Sequence, residues 1–167
     1  WSNYYHDRYG TDIRSVRYPG IIGYQSLPSG GTTDYAVEIY HAAVKSEEYV
    51  CFLAEETRLP MMYMPDAIRA TIQLMQADKN NLNIRTSYNL SAMSFTPSEI
   101  AESIRKIIPD FKISYEPDHR QDIAASWIES IDDGMARRDW NWKEEYDLDA
   151  MSVDMIKNLR MQYSVGS

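Results

Sequence analysis

Residues 16–22, Val-Arg-Tyr-Pro-Gly-Ile-Ile, place strand-forming side chains on both sides of a Pro-Gly pair. Proline fixes its own φ and has no amide proton, so it interrupts the hydrogen-bond ladder of a strand. We therefore predict a strand over residues 12–18 that ends at Pro19-Gly20. Residues 30–36 then read Gly-Gly-Thr-Thr-Asp-Tyr-Ala, which predicts a loop that leads into a helix.

Farther along the chain, strand-like and helix-like patterns alternate with short connections, which favours an α/β architecture. A helix over residues 34–45 is predicted, with Thr32 or Thr33 as its cap. One apolar stripe of this helix comprises Ala36, Ile39, Tyr40, Ala43 and Val44. Strands are predicted over residues 49–53, 62–64 and 112–115.

Three more helices are predicted from caps and from apolar spacing. Asp66 is the expected cap of the first, whose expected inner face comprises Ile68, Ile72 and Met75. Residues 96–99, Thr-Pro-Ser-Glu, form a capping box with proline at the first helical position, and that helix is expected to end before Pro109. The last is a closing amphipathic helix that carries Leu148, Met151, Met155, Ile156 and Leu159.

Length and charge exclude several classes of function. The 167 residues suffice for one ordinary domain with a sizeable core. The formal net charge of -8 disfavours a nucleic-acid or anionic-membrane partner, because its field repels phosphates. No apolar run is long enough to span a bilayer. The single cysteine, Cys51, excludes a disulfide scaffold, and the three histidines lack the spacing of a metal site.

Two further segments, Leu-Pro-Met-Met-Tyr-Met-Pro-Asp-Ala at 59–67 and Ala-Ala-Ser-Trp at 124–127, complete a recognisable set. Together with residues 16–22 and 30–36, they resemble the NAD-dependent L-threonine 3-dehydrogenases of the extended short-chain dehydrogenase/reductase superfamily. The resemblance runs from about Tyr4 to about Leu159, in the family's order and spacing. It implies the C-terminal part of an extended Rossmann-type fold: the last strands of the parallel sheet plus a small mixed α/β substrate-binding region.

The family's catalytic motifs are not found in this sequence. No G-x-x-G-x-x-G or G-x-G-x-x-G phosphate cradle exists, and no tyrosine stands four residues before a lysine. By resemblance, both motifs lie upstream of residue 1, so we expect no catalytic residue here. The chain is expected to be one partial domain over residues 1–167, without the N-terminal cofactor-binding half. Residues 1–33 would end the dinucleotide-binding sheet and carry the nicotinamide and substrate loop, and residues 34–167 would form mainly the substrate region.

The resemblance assigns cofactor contacts to Tyr18, Pro19, Gly20 and Ile21. In the superfamily this loop presents backbone groups to the nicotinamide carboxamide and so orients the ring for hydride transfer. On sequence alone, a simple strand terminator is the favoured explanation of Pro19-Gly20.

Substrate contacts are expected at Gly31, Thr32, Thr33 and Trp127. Two glycines and two hydroxyls before a helix N-terminus suit an anion such as the threonine carboxylate, although the same residues also suit a plain loop with a cap. Trp127 would cover the substrate and exclude water. A core aromatic is the simpler reading of a tryptophan, and the family's Trp-Pro-x-Ser differs from the Trp-Ile-Glu-Ser found here.

The resemblance implies an enzyme that, when intact, oxidises L-threonine to 2-amino-3-oxobutanoate with NAD, as a homodimer in the cytoplasm or, in a eukaryote, the mitochondrial matrix. The chain alone is expected to be inactive. Two alternatives remain. One is a related sugar-nucleotide epimerase or dehydratase, because fold does not fix the substrate. The other is a non-catalytic remnant or interaction module.

Overall fold

Helices and strands alternate along the chain in a computed structural model that describes residues 1–165. The last two positions of the predicted 1–167 domain lie outside the described residues. The helices are α1 (Ser2–Tyr9), α2 (Tyr35–Lys45), α3 (Met64–Gln76), α4 (Pro97–Arg105), α5 (His119–Ala125), α6 (Gly134–Trp140) and α7 (Leu148–Val165). The strands are β1 (Val16–Arg17), β2 (Gly20–Ile22), β3 (Tyr49–Cys51), β4 (Leu59–Tyr63), β5 (Tyr88–Asn89), β6 (Met93–Phe95) and β7 (Ile113–Tyr115). The α/β class is confirmed.

The strands form three small sheets. Strand β1 pairs in parallel with β5, and β3 pairs in parallel with β7. The third sheet has the order β2-β4-β6, in which β2 is parallel and β6 antiparallel to β4. This mixture of parallel pairs and one antiparallel edge is typical of α/β folds.

The predicted strand over residues 12–18 is shorter than expected, although it does stop before Pro19. The first strand covers only Val16–Arg17, and a second strand begins at Gly20. The chain changes partner between them, from β5 to β4. Pro19 lies at this change of partner, where a residue without an amide proton is tolerated.

The main core lies between α2, α4, α7 and the strands β3 and β4. The predicted α2 stripe is confirmed, with Ala36, Ile39, Tyr40 and Ala43 buried and Val44 packed against the core. Helix α4 carries the predicted capping box: Thr96 Oγ1 accepts from the Glu99 amide, and the Glu99 carboxylate accepts from the Thr96 amide. The closing helix α7 is confirmed as well.

Helix α3 differs from the sequence prediction at its start and on its inner face. Its cap position is Tyr63, and Asp66 lies buried in the first turn. Asp66 accepts the amides of Glu145 and Tyr146 and pairs with Arg69, so it ties α3 to the segment before α7. The buried face comprises Ala67, Ala70 and Leu74, whereas Ile68, Ile72 and Met75 are exposed. Two alanines allow a closer approach to the neighbouring strands than isoleucines would.

Candidate functional site

A cleft of about 520 Å³ opens where β1 passes into β2. Its lining comprises Tyr18, Pro19, Gly20, Ile21, Thr33, Pro60, Trp127, Ile128 and Ile131. Four parts of the chain meet here: the β1–β2 junction, the loop before α2, strand β4 and the loop between α5 and α6. The structure thus brings together six of the eight predicted site residues. Gly31 and Thr32 are not part of the lining.

Gly20 allows these parts to approach one another. A Cβ at this position would lie 2.5 Å from Met61 Sδ and 2.8 Å from Thr33 Cγ2. Both distances are shorter than any normal van der Waals contact, so a larger residue would push Thr33 or Met61 aside. Parallel pairing of Gly20 with Met61 holds the backbone in this place. Gly20 therefore sets the position of Thr33 in the cleft.

The predicted threonine cap of α2 is wrong, because Asp34 occupies the cap position. Its carboxylate turns back onto the preceding loop, where Oδ2 accepts the amides of Ser29, Gly30 and Gly31 at 2.6, 2.7 and 2.9 Å. The amides that were expected to be free for an anion thus bind the chain's own carboxylate. The loop is held as a closed turn, with Thr33 at its end facing the cleft.

Tyr18 forms one wall of the cleft and is tied to α3. The Thr71 hydroxyl donates to the Ala67 carbonyl at 2.8 Å, so in the contact between Thr71 and Tyr18 the phenol is the donor. The bond fixes the ring of a half-exposed tyrosine. Tyr18 and Thr33 are the two residues of the cleft lining that carry a side-chain hydroxyl.

Trp127 and its neighbours form the opposite wall. The Trp127 amide donates to the Ala124 carbonyl at 3.0 Å, which continues the last turn of α5. The Ser94 hydroxyl donates to the Glu129 carbonyl and so fastens the loop to β6. The indole is partly exposed at the cleft and is not a core aromatic. Ile128, which stands where the family usually has proline, adds an apolar side chain to the same wall.

The cleft is apolar, and no charged side chain belongs to its lining in the part of the chain that the structure describes. Groups with strongly shifted pKa values lie elsewhere. Burial raises the pKa of the Cys51 thiol to about 11, which makes it a poor nucleophile. Within residues 1–165, no cluster of three or more His, Cys, Asp or Glu side chains is arranged to hold a metal ion. The same residues contain no helix long and apolar enough to cross a membrane.

Sequence reasoning missed Pro60, Ile128 and Ile131 in the lining, and the role of Asp34 in closing the turn. The aspartate had a local signal, since an Asx side chain after a glycine pair often accepts nearby amides. The three apolar residues had none, because only the tertiary packing brings them to the cleft.

No protein-family model matches the chain. It is 51% identical over 154 residues to the mitochondrial L-threonine 3-dehydrogenase of Bos taurus, a match that covers 92% of this chain and 41% of that protein. An uncharacterized epimerase/dehydratase of Staphylococcus saprophyticus is 50% identical over 154 residues, covering 92% and 48%. The apo structure of the GalE-like L-threonine dehydrogenase from Cupriavidus necator superimposes with a TM-score of 0.92 at 58% identity, covering 95% of this chain and 57% of that one.

The fold and these similarities define a class: the chain has the α/β fold of the corresponding part of the L-threonine dehydrogenases to which it is similar. Within that class its relatives are L-threonine 3-dehydrogenases and epimerase/dehydratases. The chain spans about half the length of the curated relatives it matches.

Proposed function

We propose that the complete protein oxidises the C3 hydroxyl of L-threonine with NAD, giving 2-amino-3-oxobutanoate and NADH. The substrate loses a hydride to the cofactor and a proton to a base. The observation that carries the proposal is the cleft, which gathers Tyr18–Ile21, Thr33 and Trp127 in a chain half identical to L-threonine 3-dehydrogenases.

The β1–β2 junction offers an apolar surface that suits a planar ring. Pro19, Ile21 and Trp127 offer apolar surfaces, and Gly20 belongs to the same lining. We assign Tyr18, Pro19, Gly20 and Ile21 to contact with the nicotinamide, through backbone groups and packing. When bound, NAD supplies the hydride acceptor.

Thr33 and Trp127 are proposed to hold the substrate. Thr33 lines the cleft and carries a hydroxyl that could hydrogen-bond a small polar molecule, whereas Thr32 lies outside the lining. Trp127 can cover the site and exclude water, which strengthens polar contacts within it. Gly31 donates its amide to Asp34 and helps to shape the turn. Direct contact of Gly31 and Thr32 with the substrate stays a prediction.

The proton-transfer step is proposed to come from outside this chain. No base lines the cleft within the described residues, and the Tyr-x-x-x-Lys pair of the family is not found here. We therefore propose that residues 1–33 supply the end of the dinucleotide-binding sheet and the nicotinamide and substrate loop, that residues 34–167 supply mainly the substrate-binding region, and that the chain alone is inactive.

Two further proposals concern the oligomeric state and the cellular location of the complete protein. By resemblance, we propose that the complete protein forms a homodimer. We also propose that it has no nucleic-acid partner, and the net charge of -8 supports this. A cytoplasmic location is proposed for a bacterial source and the mitochondrial matrix for a eukaryotic one. The name of the bovine relative supports the latter.

The test uses the complete protein, obtained by reading the coding DNA upstream of Trp1. We expect saturable NADH formation with L-threonine and NAD. Loss of one hydroxyl contact in Thr33→Val should raise the KM for L-threonine about tenfold, with a smaller effect in Thr32→Val. Absence of threonine-dependent NADH would overturn the proposal.

The sugar-nucleotide epimerase reading is tested in the same protein with a UDP-sugar. The epimerase/dehydratase name of the staphylococcal relative keeps this candidate open. The cleft argues against it, because no lysine or arginine belongs to its lining in the described chain, and a diphosphate needs such donors. Conversion of the UDP-sugar, without threonine oxidation, would favour the epimerase.

A further inference from the structure

The carboxylate of Asp34 binds three consecutive amides of the loop before α2. Its Oδ2 atom accepts the amides of Ser29, Gly30 and Gly31 at 2.6, 2.7 and 2.9 Å. Successive backbone amides that converge on one point form an anion-binding nest, and hydrogen bonds to a charged oxygen are stronger than neutral ones. In this loop the anion is a side chain of the same chain.

The carboxylate serves the loop and not helix α2. Asp34 is the N-cap residue, yet its side chain makes no capping hydrogen bond to the helix. The amides of Val37 and Glu38 donate instead to its backbone carbonyl, at 2.9 and 2.8 Å. A substitution of the side chain leaves these backbone bonds in place. The start of α2 therefore does not depend on the carboxylate, whereas the loop does.

Packing contributes little to the conformation of this loop. Ser29, Gly30 and Gly31 are exposed, and Gly30 has a φ of 98°. Glycine has more backbone freedom than any other residue, so a pair of glycines in an exposed loop can adopt many conformations. Three hydrogen bonds to one oxygen select a single conformation among these.

Thr33 lies within the turn that Asp34 closes. Residues 31 and 34 are joined twice, since the Gly31 carbonyl accepts the Asp34 amide at 3.1 Å and the Asp34 carboxylate accepts the Gly31 amide. On its other side, Thr33 Cγ2 faces Gly20 in the β1–β2 junction. Thr33 is thus held between this junction and the closed turn, where it lines the cleft.

We propose that Asp34 is a positioning residue of the substrate site: by closing the loop over residues 29–31, its carboxylate holds Thr33 where the threonine hydroxyl binds the substrate. This role rests on the proposed function, in which Thr33 contacts L-threonine. Asp34 itself does not belong to the lining of the cleft and acts through Thr33. Loss of its carboxylate should therefore weaken substrate binding and leave the chemical step unchanged.

The test measures the steady-state kinetics of the complete protein with L-threonine and NAD. Asp34→Ala should raise the KM for L-threonine about tenfold and change kcat less than about twofold. Asp34→Asn keeps a neutral acceptor oxygen and should recover part of the loss. Asp147→Ala is the matched control, because the Asp147 carboxylate accepts the Ala150 amide at the start of α7 and lies outside the cleft lining. It should leave the KM within about twofold.

A double variant separates positioning of Thr33 from a general effect on the fold. Because Asp34 acts through Thr33, Asp34→Ala combined with Thr33→Val should raise the KM about tenfold, as Thr33→Val does alone, and not about a hundredfold. In a protein that oxidises L-threonine, an unchanged KM for Asp34→Ala, or effects that multiply in the double variant, would overturn the proposal. An unaltered complete protein that forms no NADH from L-threonine would overturn the proposed function, and this role with it.

Discussion

At the scale of single residues, the cleft depends on a position that has no side chain. Gly20 lies against both Met61 and Thr33, and its backbone conformation is one that any residue can adopt. The requirement for glycine is therefore one of space and not of φ. This separates Gly20 from Gly30, whose φ of 98° itself favours glycine.

Gly20→Ala is expected to lower the free energy of unfolding by about 1–3 kcal/mol, because the added methyl overpacks the junction. Gly31→Ala is the matched control for stability, since the nearest atom to its Cβ is Asp34 Oδ1 at an ordinary 3.4 Å. That variant should stay within about 0.5 kcal/mol. Urea unfolding followed by circular dichroism measures both. Equal losses in the two variants would contradict the account of Gly20.

His41 gives a residue-scale prediction on pH. Burial, with a smaller contribution from Lys45, lowers the pKa of His41, whose Nδ1 lies 2.8 Å from the Tyr163 hydroxyl. The folded state thus favours the neutral ring, and the unfolded chain binds a proton first as the pH falls below about 6.5. Stability is full above that pH and declines below it.

We expect the melting temperature of His41→Gln to fall less between about pH 7 and about pH 5 than that of the unaltered chain. His119→Gln is the control, because its side chain is 81% exposed. An identical pH profile in all three proteins would show that His41 does not contribute to acid sensitivity.

At the scale of elements, the sequence predicts those features that depend only on residues close together in the chain. The capping box of α4 is local, and Thr96 with Glu99 forms it as the sequence indicates. The face of α3 is not local, since the helix has two apolar faces and the neighbouring strands select between them. Hydrophobicity favours the face with Ile68 and Ile72, whereas close packing favours the face with Ala67 and Ala70.

Thr96→Ala should cost about 0.5–2 kcal/mol of unfolding free energy, because the Glu99 amide loses its acceptor at a buried helix start. Thr96→Ser keeps the hydroxyl and should recover most of the loss. Chemical denaturation of the two variants provides the measurement. A serine variant as unstable as the alanine variant would assign the effect to the methyl group and not to the cap.

At the scale of the whole molecule, the cleft is assembled from segments that are distant in sequence. The likeness to a known family predicted Tyr18, Gly20, Thr33 and Trp127 as site residues, and the fold brings them together. Their binding roles stay predictions. Ile131 and its apolar neighbours in the lining could not be predicted, since their place depends on how the α5–α6 loop crosses β6. The Asp34 carboxylate, by contrast, had a local signal in the residues before it, although that signal does not specify which amides it accepts.

We propose that this cleft is the substrate side of an NAD-dependent L-threonine dehydrogenase. The most direct test is the kcat/KM for L-threonine of the complete protein carrying Trp127→Ala, compared with Val153→Ala on the exposed face of α7. Opening the cleft to water should lower kcat/KM about tenfold or more in the first variant and leave the second near the unaltered value. An unchanged kcat/KM for Trp127→Ala would contradict the claim.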